Sequence, residues 1–383
     1  MRRSLLAVLV LVLTLASSVV TAAAKSGDVP ATKGWWSANL ASGTFEGVQV
    51  VGGSLTLDPA ALLTGTDTAG RYNGGAYYYG RFTAPEQSLA VTEAIPSWLA
   101  TTQPGTWIEV ELRARVDGLW SKWYSLGVWL EQETPFRRHS VGGQADKTGT
   151  VATDTLVLSK VADALQARVT LFAESAAATP AVRALGLTYS NGTDKAGVVP
   201  SAGLVSDLAV PKRSQMVFPD GGEVWCSPTS TSMVMAYWGV DLPVPTVVKG
   251  VWDYRYNGGG NWPFNTAYAG SLGLEGKVAR LSSLAEVERW TAAGVPVIAS
   301  IAFRKGELTG APISSTAGHL VVIRGFDAAG NVLVNDPAAA SDEGVALTYN
   351  RVEFEAAWLG NSNGVVYLIY PAGWAVPATN GHW

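Results

Sequence analysis

Between Trp107 and Val116 the chain alternates without a break: Ile108, Val110, Leu112, Ala114 and Val116 are apolar, and Glu109, Glu111, Arg113 and Arg115 between them are charged. Successive side chains of a strand point to opposite faces, so a period of two commits this stretch to a sheet with one apolar and one wet face. Leu165, Ala167, Val169 and Leu171 repeat the pattern against Gln166, Arg168 and Thr170. Further strand candidates are Phe45 to Val51, Ala76 to Phe82, Tyr124 to Leu130, Thr155 to Ser159 and Val182 to Tyr189, parted by turns containing Gly, Pro and Asp. No helical periodicity intervenes, and the expected fold over residues 34–190 is an all-β sandwich, jelly-roll-like in architecture.

On the Tyr124 to Leu130 strand, Trp123 and Trp129 share a parity with Ser125 and Gly127, opposite to Tyr124, Leu126, Val128 and Leu130. The two indoles are therefore expected to face outward. Exposed rings stack on sugars, which makes cell wall or a glycan a candidate contact for the sandwich, with burial of the rings beneath loops the commoner alternative. Arg137-Arg138-His139 reads as solvated surface.

Periodicity is lost between Tyr189 and Leu208, where Asn191-Gly192, Gly197, Pro200 and Gly203 fall, so 191–207 is read as a linker. A second domain, 208–371, mixes helix and strand, and 372–383 is a C-terminal tail. With 383 residues, 48% of them hydrophobic, the chain has material for two cores. A net charge of -4, with 15% charged residues and no Lys/Arg run, argues against a nucleic-acid or anionic-membrane partner. A neutral or peptide-like ligand fits better. Arg2 and Arg3, the apolar run Leu5 to Leu15 and then Ala22-Ala23-Ala24 read as a signal peptide over 1–24, so the expected protein is secreted and extracellular. No later stretch approaches the roughly 20 apolar residues of a spanning helix, and no transmembrane anchor is expected.

Cys226 is the one cysteine, and it opens the stretch Trp225 to Met235, which reads as a helix start with Pro228 in its first turn. Unpaired N-H groups and the positive end of the helix dipole favour a thiolate there. Burial as a small hydrophobe is the plainer alternative. This helix should end near Gly239. Ser283-Leu284-Ala285-Glu286 reads as a capping box for a helix with Leu284, Val287 and Trp290 on its apolar stripe, closed by Gly294. Val295 to Ile301 is a buried strand and Lys305 to Gly318 a polar loop. His319 to Asp327 and Val332 to Asp336 form a hairpin, before a last helix in Tyr349 to Trp358 and a strand in Gly364 to Tyr370.

A nucleophilic thiol needs a histidine to share its proton and an acceptor to orient the imidazole. His319 and Asp336 stand at the two ends of one hairpin, near its base on adjacent strands. The register is open, so Asn335 and Asp327 remain alternative orienters. Three histidines and one cysteine are too scattered for a metal site, and no cofactor is expected.

Gln215, Cys226-Ser227-Pro228-Thr229, Gly318-His319-Leu320-Val321-Val322 and Asn335-Asp336-Pro337 together resemble the papain-like cysteine peptidases of the C-39-like group, relatives of the bacteriocin-processing double-glycine leader peptidases. Over about Ser206 to Pro371, this resemblance implies an α+β papain-like fold. It implies a cysteine peptidase hydrolysing a peptide or protein substrate through a Cys226-His319-Asp336 triad and a thioester, with Gln215 as oxyanion donor. Ser227 stands where the group usually has Gly, and Gln215 lies eleven positions before Cys226. Trp225, Trp262 and Trp252 are candidate groove walls. With no nucleotide-binding Gly-x-x-x-x-Gly-Lys motif, the transporter-bound processing job of those relatives is not expected. Two other readings are a thiol amidase or acyltransferase on a non-peptide substrate, and a catalytically silent cell-surface or carbohydrate-binding protein.

Overall fold

The computed structural model describes residues 32–192 and 199–383, so the signal-like segment 1–24 lies outside the described residues. The described residues form one compact unit. The N-terminal domain builds two seven-stranded antiparallel sheets. One runs Gly149–Ala152, Thr155–Ala162, Val91–Thr101, Ala181–Ser190, Ser54–Leu57 and Val48–Val51 in spatial order, with Lys33–Ser37 paired to Ala181–Ser190. The other runs Tyr124–Trp129, Thr106–Val116, Ala164–Ala173, Ala76–Thr83 and Thr44–Glu46, with Leu63–Thr66 and Leu119–Trp120 paired to its inner strands. Ile108, Val110 and Leu112 from this sheet and Trp98, Leu156 and Leu187 from the first join one core cluster. Each such buried side chain contributes about 1.5 to 3 kcal/mol relative to exposure.

The sheets depart from the sequence expectation at four places, each with a physical cause. Gly47, at φ 66, splits the Phe45 to Val51 run into Thr44–Glu46 and Val48–Val51, which pair in different sheets. Glu109 and Glu111 are buried rather than wet, because Arg71 and Tyr72 close on Glu109 while Arg168 closes on Glu111. Trp129 faces the core, since the register shift between Ser125 and Gly127 inverts the parity of everything beyond it. Trp123 is half-buried, with the guanidinium groups of Arg113 and Arg168 lying 4.6 and 4.4 Å from its ring centre. Neither indole is an open stacking surface, so the glycan platform expected at these rings is not there. Arg138 is likewise no surface residue: its guanidinium donates to the carbonyls of Leu130 (2.8 Å), Glu131 (2.7 Å) and Lys249 (2.8 Å), the last in the C-terminal domain.

The C-terminal domain has a third seven-stranded antiparallel sheet, in the order Leu274–Arg280, Val365–Pro371, Val297–Phe303, Thr316–Phe326, Val332–Asn335 and Ala346–Tyr349, with Ser206–Asp207 paired to Thr316–Phe326. Its helices are α1 (Cys226–Tyr237), α2 (Val244–Val251), α3 (Trp262–Ser271), α4 (Leu284–Ala292) and α5 (Arg351–Ser362). Strand parity sorts them by face. Ile298, Val322 and Tyr367 cluster with Met233 of α1 and Val247 of α2, whereas Val297, Ile323 and Leu368 cluster with Trp290 of α4 and Trp358 of α5. No helix among the described residues is long and apolar enough to cross a membrane.

The capping box of α4 forms only in part. Ser283 makes no side-chain cap, and Glu286 accepts from the N-H of Ser282 at 2.8 Å, while its other oxygen is held by Asn380 and His382. Helix α3 has no counterpart among the expectations, although its signal is present: Asn261 Oδ1 accepts from Phe264 N at 3.2 Å, and Pro263 occupies the first turn. This helix joins the domains. Phe264 enters the N-terminal core with its ring 5.3 Å from Trp129 and 6.1 Å from Trp98. The tail also packs, with Trp383 5.6 Å from Trp290 and the carbonyl of Gly381 accepting from Trp35 N at 2.7 Å.

Candidate active site

Before α1 the chain turns at Gly221 (φ 101), passes through a short 3-10 turn, and enters the helix at Cys226 with Trp225 as an N-cap that offers no side-chain bond. The first-turn N-H groups therefore lack intrahelical or capping partners from the chain behind them. The backbone N-H groups of Ser227 and Leu320 help to hold the Cys226 thiol below its ordinary value. One turn along, Ser230 Oγ donates to the carbonyl of Leu320 at 3.0 Å and fixes α1 to the strand that carries His319.

His319 pairs with Ile301 in the sheet, and its Nε2 meets Asp336 Oδ1 at 2.7 Å; the two residues are 3% and 1% exposed. With Nε2 committed to Asp336, Nδ1 is the ring nitrogen left to face the thiol. Burial works against charge on His319, yet the Asp336 carboxylate outweighs it and pushes the imidazole up to about 10. Burial also pushes the Cys226 thiol up, and the hydrogen bond and charge of His319 more than offset this, so the thiol lies below its ordinary value. For Asp336 burial is again opposed, first by His319 and then by Tyr349 Oη (2.6 Å to Oδ2) and Ala338 N (2.9 Å to Oδ1), leaving the carboxyl below its usual range. The other candidate orienters are engaged elsewhere. Asn335 Nδ2 donates to the carbonyl of Val210 at 3.1 Å, and Asp327 Oδ1 accepts from Ala329 N and Asn331 N, both at 2.9 Å, within the hairpin turn.

The eleven positions from Gln215 to Cys226 fold back on themselves. Gln215 N donates to Pro337 O and its Nε2 to Gly222 O, each at 2.8 Å. A Cβ on residue 222 would stand 2.1 Å from the carbonyl oxygen of Gln215, so this close approach requires glycine. Gln215 is 2% exposed, lines the same cavity as Cys226, and keeps an unpartnered Oε1. Ser227 directs its hydroxyl to Tyr367 Oη at 2.9 Å, so its side chain is taken up by the sheet.

The cavity has a volume of about 980 Å³ and is lined by Cys226, His319, Gln215 and Trp262 together with Glu93 and Asp154 of the N-terminal domain. Trp225 and Trp252 are not on its wall; Trp225 packs 5.7 Å from Phe218 of its own loop. Among the described residues, no group of three His, Cys, Asp or Glu side chains is placed to hold a metal. Three contributors escape sequence reasoning: Ser230, Tyr349 and Asp154. Ser230 is four residues from Cys226 and shares its helix face, a spacing that is readable. Tyr349 and Asp154 reach the site across long sequence separations and leave no local signature.

Comparison with known proteins finds two family models along the chain. The family model described as Peptidase C39 N-terminal domain matches residues 31–190, and that of the Peptidase_C39 like family matches residues 207–366. No curated protein matches the chain. Among solved structures, the crystal structure of a double glycine motif protease from an AMS/PCAT transporter in complex with the leader peptide is similar at 20% identity and a TM-score of 0.30, over 44% of this chain and 95% of that one. The two C39-peptidase family models, over residues 31–190 and 207–366, together cover most of the chain, which belongs to the C39-like peptidases.

Proposed function

We propose that this chain is a secreted cysteine peptidase that hydrolyses peptide bonds through Cys226, His319 and Asp336. The observation that carries the reading is that Cys226 and His319 share one cavity wall, with His319 held by Asp336 at 2.7 Å. We read the C-terminal domain as papain-like and the paired N-terminal sheets as a jelly-roll-like β-sandwich. Secretion rests on the composition of residues 1–24.

In the first step the Cys226 thiolate attacks the carbonyl carbon of the scissile bond, and the carbonyl electrons move to oxygen. The Cys226 backbone N-H and the second Nε2 proton of Gln215 are the donors for that oxyanion. His319 gives its proton to the leaving amine as the C-N bond breaks, which leaves a thioester on Cys226 and a neutral imidazole. Water then attacks the thioester carbon and passes a proton to His319, and the sulfur leaves as thiolate with the acid product. Asp336, pinned by Tyr349, holds the ring in the tautomer that both halves require.

The test is a peptide library incubated with the wild type and with Cys226→Ala, with products identified by mass spectrometry. Cleavage by the wild type alone is expected. The same pattern from both proteins would assign the activity elsewhere.

A further inference from the structure

The C-terminal domain does not enclose the cavity beside Cys226 alone. Glu93 and the turn Ala152-Thr153-Asp154-Thr155, all from the N-terminal sheets, line it as well. The turn is tight: Ala152 pairs with Thr155, and Thr153 sits at φ 58. Asp154 is 6% exposed, its Oδ2 accepting from Trp262 N at 2.6 Å and its Oδ1 from Thr155 Oγ1 at 3.0 Å. Both donors are neutral, and Asp154 makes no ion pair among the described residues. Arg280, on the same wall, is instead held by Glu93 at 2.7 Å and by the carbonyl of Ser362 at 2.8 Å.

A buried carboxylate is costly, and this one has no ion pair of its own among the described residues: Arg280, the cation that acts on it, is held by Glu93, and the donors to Asp154 are the first N-H of α3, a helix that Asn261 also caps, and Thr155 Oγ1. Burial, with the charge of Asp253 behind it, pushes Asp154 up to about 7. An arriving cation would reverse that shift and recover the cost. The rest of the wall has the matching sign: Glu93, Asp154 and Glu223 face Arg280 and His319, and His319 is balanced by Asp336.

We propose that Asp154 is a specificity-determining residue: it receives a Lys or Arg side chain of the peptide substrate, so that the N-terminal domain selects what Cys226 cleaves. This rests on the peptidase reading of Cys226, and the test separates the two. Alkylation of Cys226 by iodoacetamide reports occupancy of the cavity without any turnover. The probes are two octapeptide libraries, one with Lys or Arg at a fixed central position and one with norleucine or citrulline there.

The basic library is expected to half-protect the wild-type thiol at a concentration at least tenfold lower than the neutral library. Asp154→Asn, which keeps acceptor oxygen for Trp262 N, should abolish that advantage and leave protection by the neutral library unchanged. Glu223→Gln should retain it. Equal protection by both libraries, protection by neither, survival of the advantage in Asp154→Asn, or its loss in Glu223→Gln would each overturn the assignment. Should Asp154→Asn not fold, Asp154→Ser, whose hydroxyl oxygen can accept from Trp262 N, takes its place with the same two outcomes. Failure of the wild type to hydrolyse any peptide would overturn the peptidase reading and leave the protection result standing on its own.

Discussion

At Cys226 two forces of opposite sign meet: burial, which favours the neutral thiol, and the His319 hydrogen bond and charge, which favour the thiolate and prevail. A depressed acid keeps its anion above its lowered value and loses it only as pH falls through that value, while a raised base keeps its proton until pH climbs through about 10. The thiolate-imidazolium pair therefore spans a window reaching from below the ordinary thiol value to about 10. His319→Ala leaves burial without its main counterweight. The alkylation rate of Cys226 at pH 7 should then fall at least tenfold, and its pH profile should shift to alkaline values. An unshifted profile would mean that His319 does not activate the thiol. Ser227 poses a stability question beside this chemical one. Ser227→Ala orphans the buried Tyr367 hydroxyl and should cost about 1 to 3 kcal/mol, whereas adding Tyr367→Phe removes both polar partners and should restore most of the loss. Urea denaturation of the two variants measures this; equal stabilities would show the pair to be inert.

At the scale of elements, the hairpin Thr316–Phe326 to Val332–Asn335 is legible in the sequence, since its turn residues and apolar runs are local and its two ends carry the histidine and the aspartate. Which carboxylate or amide orients His319 is not legible, because register decides it and register is set by tertiary pairing. The parity of Trp129 fails for a related reason: one extra residue in a bulge reverses every side chain beyond it, and no composition marks that bulge. The Glu109 face fails because its neutralising partners, Arg71 and Tyr72, arrive from a distant loop. Helix α3 is a different case. Its Asn261 cap and first-turn proline are readable signals set within a Gly- and aromatic-rich stretch of turn composition. Asn261→Ala removes that cap and also strips Asp253 Oδ2 of a 2.9 Å donor, so it should cost about 1 to 2 kcal/mol. Because α3 opens with the groove residue Trp262, the indole fluorescence of the variant should change with it. Wild-type stability would show that Asp154 alone holds the helix start.

At the scale of the molecule, the two matched segments do not behave as beads on a string. Phe264 and Ala267 of α3 belong to the core cluster of the N-terminal sheets, and Ile95 of those sheets belongs to a cluster centred on α1 and the third sheet. Close fit reinforces the exchange, for a Cβ on Gly270 would lie 2.4 Å from Leu99 Cδ2 across the boundary. Hydrogen bonds cross it too, Ser97 Oγ accepting from Val278 N at 2.9 Å and Asp253 Oδ1 from Ser140 N at 3.0 Å. A shared core couples unfolding, so residues 32–383 should melt in one calorimetric transition with the calorimetric and van't Hoff enthalpies in agreement. Phe264→Ala empties the aromatic contact with Trp98 and Trp129 and should cost about 3 to 5 kcal/mol while keeping a single transition, because the loss falls on both domains at once. Two resolved transitions in the wild type, or a variant in which one domain melts early while the other keeps its midpoint, would instead mean that the domains fold independently. In that event the cavity wall supplied by Glu93 and Asp154 would be a movable part rather than a fixed one.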